Sequence, residues 1–262
     1  MARQTARNAV VYSIVQRRVL GVIPARFASS RFPGKALTPI AGRPMIQHVY
    51  ERSSQARYLS QILIATDDDR IASAAREFGA PVRMTRSDHV SGTDRVAEAA
   101  SSANCEFVVN IQGDEPLIDP EAIDAAVVGM IEAEDAPMTT LKRRIEDPAD
   151  VDNPNVVKVV TDRANNAIYF SRCPIPYFRG GGPAAHYVHI GLYVYRRDFL
   201  LRYSELPVGP LERAECLEQL RALENGYKIR VVETEYASLG VDTPEDLARI
   251  SRLFELSTLG NR

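Results

Sequence analysis

The sequence predicts an α/β protein with a mostly parallel central sheet, helices on both faces and a smaller β-rich lobe. Three observations carry this. Short β-branched runs alternate with segments apolar at helical spacing through the first half of the 262 residues. After about Met138, strand-like runs follow one another with no long helical pattern between them. A basic loop punctuated by Gly and Pro follows the first strand, where a doubly wound sheet holds its ligand.

Val19-Leu20-Gly21-Val22-Ile23 reads as a buried strand ending at Pro24. The next loop carries Arg26, Arg31 and Lys35 among Ala25, Ala28, Ser29, Ser30, Pro33 and Gly34. Small side chains let backbone N–H groups approach anionic oxygens, and the cations offset their charge. This suits a triphosphate better than a solvated basic loop. Neither G-x-x-x-x-G-K-[ST] nor G-x-G-x-x-G is present. Gly42-Arg43-Pro44 opens a helix through Met45, Ile46, Val49 and Tyr50, with His48 as a packing residue. Residues 61–66 are the second strand, and Asp67-Asp68-Asp69 caps a helix through Ile71, Ala74, Ala75 and Phe78 that Gly79 stops. Residues 81–85 are a third strand. Ser91-Gly92-Thr93-Asp94 leads a helix through Val96, Ala97 and Ala100. Phe107-Val108-Val109-Asn110-Ile111 is a fourth strand, ended by Gln112-Gly113-Asp114-Glu115-Pro116, and Asp119-Pro120-Glu121 starts the next helix.

In the second half, residues 138–141, 156–160, 167–170 and 190–195 are strand-like and place the β-rich lobe at about 138–205. Residues 179–183 read as a flexible glycine loop within it. Helices resume from Asp198 and over 211–225, residues 228–233 form a late strand, and Pro244 starts the terminal helix. With no repeat or linker, 19–256 reads as a single domain. Residues 1–18 carry four arginines around a short apolar run and no acid. A leader would show a longer run and a small-residue cleavage site, so a disordered extension or a mis-assigned start is the better reading.

A formal net charge of −2 argues against bulk attraction to nucleic acid or anionic lipid, and no apolar run reaches membrane-spanning length. Cys105, Cys173 and Cys216 have no C-x-x-C spacing. An odd count fits a reducing, cytoplasmic compartment, with Cys105 and Cys216 as core or helix residues.

The chemistry concentrates in a few places. Asp114 sits at the carboxyl end of a central strand, beside the basic loop. A carboxylate facing a triphosphate needs a hard cation between them, and Mg²⁺ is the ion both share. In Gly240-Val241-Asp242-Thr243-Pro244, Asp242 or Thr243 reads locally as a helix N-cap. Ser91-Gly92-Thr93-Asp94-Arg95 is equally a cap and a phosphate or base contact. Arg172 offers a bidentate clamp for a carboxylate or a surface contact. His89 and His186 read as solvated loop residues.

Taken in order, IPARFASSRFPGKAL, ATDDDRI, SGTDR, VNIQGDEPLI, NPNVVKVV, YFSRCPIP, HIGLYVYR, LEQLRALENG and GVDTPEDL resemble the motifs of the 3-deoxy-manno-octulosonate cytidylyltransferase family, over roughly residues 19–252. The resemblance implies a Rossmann-like nucleotide-diphospho-sugar transferase fold. It implies that CTP and 3-deoxy-D-manno-octulosonate (Kdo) give CMP-Kdo and pyrophosphate with Mg²⁺, for lipopolysaccharide biosynthesis, in a cytoplasmic homodimer. Arg26 and Lys35 then contact the triphosphate and, with Asp114 and Asp242, form the catalytic set. Ala25, Ser91, Arg95 and Gln112 complete the nucleotide site. Asp114 and Asp242 become the Mg²⁺ ligands, against the local capping preference for Asp242. Arg172, His189, Tyr193, Glu218 and Gln219 form the sugar-acid pocket, with Arg172 on the carboxylate. The C2 hydroxyl of the sugar attacks the α-phosphorus in line with departing pyrophosphate, without a protein nucleophile. An 8-amino form of the sugar is the alternative acceptor. Rival readings are a cytidylyltransferase for sialic acid or a polyol phosphate, a nucleotide-binding regulator, and a glycosyltransferase using Asp67-Asp68-Asp69, where capping is favoured.

Overall fold

β1 (Val19–Ala25) is apolar on both faces: Val19 and Ile23 enter one core, Leu20 and Val22 the other. Such a strand is stable only between two layers. The computed structural model describes residues 17–28, 32–180 and 185–259. The expectations for Ser29, Ser30, Arg31 and Gly181-Gly182-Pro183 lie outside these residues, as does the extension apart from Arg17 and Arg18. A short antiparallel pair, β2 (Pro39–Ile40) and β3 (Arg43–Pro44), follows the basic loop.

β1 pairs in parallel with β4 (Gln61–Thr66) and with β6 (Phe107–Asn110), and β5 (Val82–Met84) extends the sheet beyond β4. β7 (Met138–Arg144), β8 (Lys158–Thr161), β9 (Ala167–Ser171), β10 (Tyr187–Arg196) and β11 (Ile229–Glu233) complete a nine-stranded sheet along the path β11-β7-β10-β6-β1-β4-β5. β10 is antiparallel to both β6 and β7. The strands of the 138–205 region therefore split. β7 and β10 continue the central sheet, while β8 and β9 form an antiparallel ribbon off its path.

α1 (Met45–Ser53), α2 (Asp69–Glu77) and α4 (Pro120–Glu132) supply Ile46, Val49, Ile71, Ala75, Ile123 and Val127 to the core on one face. On the other face lies α3 (Gly92–Ser101), together with α6 (Arg197–Tyr203) and α8 (Leu220–Glu224). The short α5 (Ala149–Asp152) precedes β8, and α9 (Pro244–Leu259) closes the chain. The helix expected over 211–225 is two: α7 (Pro210–Glu215) and α8, broken at Cys216, whose φ is 52°. The break lets α8 fold back. Glu224 accepts the amides of Leu211 and Glu212 at 2.9 and 3.0 Å, and Arg221 pairs with the buried Glu212 at 2.6 Å. Cys216 is accordingly exposed instead of buried in a helix.

Candidate active site

Three segments meet at the carboxyl edge of β1 and β6. The first is the basic loop, folded back on itself: Gly34 N–H donates to the Phe27 carbonyl at 2.9 Å, and Gly34 takes a φ of 72° that favours glycine. Lys35 follows on a 3₁₀ turn. The second is the turn after β6, where Gly113 packs directly against the backbone carbonyl of Pro24. The third precedes α9. Lys35 Nζ lies 2.7 Å from Asp114 Oδ2 and 3.3 Å from Asp242 Oδ1. Val241 N–H donates to the Asp114 carbonyl at 2.9 Å. The two aspartates, distant in sequence, thus converge on one ammonium.

Asp242 is free to do so because it is not the cap. Thr243 Oγ1 accepts from Asp246 N–H at 3.2 Å, and Asp246 Oδ2 accepts from Thr243 N–H at 3.1 Å, a reciprocal capping box. Of the two residues that local sequence offered as N-cap, Thr243 takes the role and Asp242 does not. The T-x-x-D spacing was the available signal.

A cavity of about 310 Å³ opens here, lined by Ala25, Arg26, Lys35, Ser91, Arg95 and Gln112 together with both aspartates. Arg26 is exposed at its mouth. Arg95 is buried and paired with Asp67 at 3.2 Å, a partner the sequence did not show. Asp68, as expected, caps α2 by accepting from Arg70 N–H at 2.9 Å. Ser91 is both cap and wall: its Oγ accepts from Asp94 N–H at 3.1 Å and lies 3.4 Å from Glu218 Oε1. Gln112 Nε2 donates to the Gly191 carbonyl at 3.0 Å, tying the β6 turn to β10. His89 lines this cavity against the carboxylate of Glu98 and is not solvated, which corrects the sequence reading.

A second cavity of about 510 Å³ shares Gln112, Asp114 and Asp242 with the first and adds Asn110, Tyr193 and Glu218. Burial raises the pKa values of Tyr193 and Glu218 above their ordinary values. His189 borders a neighbouring cavity and is held at about pKa 3 by desolvation. Its Nε2 is 2.9 Å from Thr140 Oγ1, whose single proton is directed at the Ile190 and Leu192 carbonyls at 3.0 and 2.9 Å. Gln219 is buried with Nε2 unpartnered. Arg172 stands apart and lines none of these three cavities. Its Nε donates to the Glu215 carbonyl at 2.7 Å and its Nη1 to the Pro154 carbonyl at 2.9 Å. His48 is a packing residue, bonded to the Ile40 carbonyl at 2.7 Å and tilted on Phe254.

Among the described residues no cluster of three or more His, Cys, Asp or Glu is arranged to hold a metal alone. Two carboxylates converging on a single cation suit a hard ion that takes its other ligands from phosphate oxygens and water, as Mg²⁺ does. The donor set fits.

A cleft at the carboxyl edge of a mostly parallel sheet, lined by cations, paired aspartates and buried polar groups, defines a nucleotidyltransferase. Residues 20–229 match the family model described as cytidylyltransferase. A 3-deoxy-manno-octulosonate cytidylyltransferase of Solibacter usitatus is 68% identical over 93% of this chain and 97% of that protein. One from Geobacter sulfurreducens is 56% identical over 88% and 97%. A solved structure of CMP:2-keto-3-deoxy-manno-octonic acid synthetase complexed with CTP superimposes with a TM-score of 0.88 at 44% identity, covering 92% of this chain and 99% of that one. The chain belongs to the cytidylyltransferase family, among the 3-deoxy-manno-octulosonate cytidylyltransferases.

Proposed function

We propose that this enzyme transfers CMP from CTP to Kdo, releasing pyrophosphate, as a step in lipopolysaccharide biosynthesis. The observation that carries the reading is the convergence of Lys35, Asp114 and Asp242 at a cavity also bordered by Arg26, Ser91, Arg95 and Gln112. The C2 hydroxyl oxygen of the sugar forms a bond to the α-phosphorus as the bond from that phosphorus to the oxygen bridging it to the β-phosphate breaks; pyrophosphate leaves and the hydroxyl proton passes to water. Arg26 and Lys35 hold the triphosphate and offset charge on the departing pyrophosphate. Asp114 and Asp242 would hold Mg²⁺, which would supply Lewis-acid polarisation of the phosphoryl group. Tyr193, Glu218, His189 and Gln219 bond the sugar hydroxyls; the cavity that Tyr193 and Glu218 border joins the nucleotide cavity through Gln112 and both aspartates, and His189 borders the neighbouring one. Arg172, outside these cavities, would turn from the Glu215 and Pro154 carbonyls to meet the sugar carboxylate.

We further infer a homodimer, supported by the exposed Tyr177 and Phe178, and a cytoplasmic location. Among the described residues no helix is long and apolar enough to cross a membrane. Pyrophosphate release with CTP and Mg²⁺ tests the reaction across Kdo, its 8-amino analogue, sialic acid and a polyol phosphate. Release dependent on Kdo is expected. Release driven only by another acceptor, or none at all, refutes the assignment. Light scattering at the assay concentration tests the dimer.

A further inference from the structure

Glu115 follows Asp114 on the turn after β6, and the reaction as described gives it no task. It is 7% exposed. Each carboxylate oxygen accepts a hydroxyl from the segment that leads to Asp242. Tyr236 donates to Oε2 at 2.8 Å, and Ser238 donates to Oε1 at 2.8 Å. Further along the same segment, Val241 N–H meets the Asp114 carbonyl, and Asp242 reaches Lys35. An apolar side chain would fill this volume without the desolvation cost of a carboxylate placed next to Asp114. What the carboxylate adds is two directional acceptors, one for each hydroxyl. Those bonds run between the two segments that carry the paired aspartates, and not within either.

We propose that Glu115 is a positioning residue: its buried carboxylate staples the 236–242 segment to the 112–116 turn and thereby sets the separation of Asp114 and Asp242 around a divalent cation. The inference rests on reading those aspartates as the cation's ligands. It is tested on the full chain with Mn²⁺ as the paramagnetic probe, titrated with CTP present and sugar absent, and with hydrogen exchange of the 236–242 backbone. Glu115→Gln keeps one acceptor oxygen and loses the other. It is expected to weaken Mn²⁺ binding about tenfold, the scale of a lost partner of a metal ligand, and to speed exchange over 236–242. Tyr236→Phe combined with Ser238→Ala, which leaves the carboxylate in place, is expected to do the same and decides the matter if Glu115→Gln does not fold. Val127→Ala, a core truncation in α4, is expected to lower stability while leaving both readouts at wild-type values. Wild-type Mn²⁺ affinity and exchange in Glu115→Gln overturn the proposal, as does an equal loss of affinity in Val127→Ala. If Asp114→Asn binds Mn²⁺ as the wild type does, the ligand reading fails. The exchange readout then decides the staple: faster exchange in Glu115→Gln supports it, and unchanged exchange overturns it.

Discussion

Gly113→Ala tests whether the site depends on how closely the β6 turn approaches β1. A Cβ at position 113 would sit 2.7 Å from the backbone carbonyl of Pro24, with Ile46 Cδ1 at 3.4 Å and Ile23 Cγ2 at 3.5 Å. Real Cβ contacts essentially never fall below 3.0 Å. The obstructing atom is backbone in a strand that β4 pairs at Pro24 itself and β6 pairs up to Val22, so it cannot swing away. The turn must retreat by several tenths of an ångström, and Asp114, the next residue, moves with it. Overpacking of this kind costs about 1–3 kcal/mol of stability. That corresponds to a Tm lower by about 2–4 °C per kcal/mol in a chain of this size. A 1 Å misplacement at a reacting centre costs on the order of 10²-fold in rate. A smaller displacement is therefore expected to lower kcat by about tenfold. The assay is pyrophosphate release at saturating CTP and Mg²⁺, paired with thermal unfolding. Gly129→Ala is the comparison: its Cβ would meet the Val232 side chain in the core beneath the sheet, so stability should fall with kcat intact. If Gly113→Ala loses stability but turns over normally, the turn relaxes without moving Asp114 and the reasoning fails.

Asp114→Asn keeps the shape and removes the charge that faces Lys35. It is expected to lower kcat by about 10²–10³-fold, and near-normal turnover at saturating Mg²⁺ would refute the role. Arg172→Ala is expected to raise the KM for the sugar more than the KM for CTP. An equal rise in both would assign Arg172 to its bonds with Glu215 and Pro154 alone. His189, half-buried and held neutral by desolvation with a pKa near 3, takes up a proton in the unfolded chain near pH 6.5. Between these values the unfolded state binds more protons, so stability rises with pH. Urea unfolding should therefore show stability falling from pH 6.5 toward pH 3 by up to about 1.4 kcal/mol per pH unit. His189→Gln should flatten that slope, and an unchanged slope would count against it.

The parallel half of the fold was legible because its strands are apolar on both faces and its helices carry end signals, a stop at Gly79 and a start at Asp119-Pro120. Its continuation was not. Nothing in the spacing of β7 and β10 says that β10 inserts between β6 and β7, running against both, because that order is fixed by pairing across the sheet and not by local pattern. Glu224 reaches the start of α7 only after the chain reverses at Cys216, so a single helix over 211–225 was the natural local reading. Lys158 shows the same limit. Its fully buried ammonium donates to the Asn153, Val156 and Arg172 carbonyls, a cage assembled from two segments that no local window contains.

The site divides along the same line. Residues whose task is set by their own loop, such as Gly34, Lys35 and Gly113, could be picked out locally, because small residues and charges at a strand end have few other uses. Asp242 could not be settled that way while two residues competed for one cap. The capping box gives the cap to Thr243 and so leaves the Asp242 carboxylate without a local task. A carboxylate released by its own helix and brought beside a second one is unfavourable unless a cation lies between them. In this fold Lys35 fills that requirement. The arrangement explains why a lysine and two aspartates belong together: the ammonium balances both carboxylates and holds them aimed at one point.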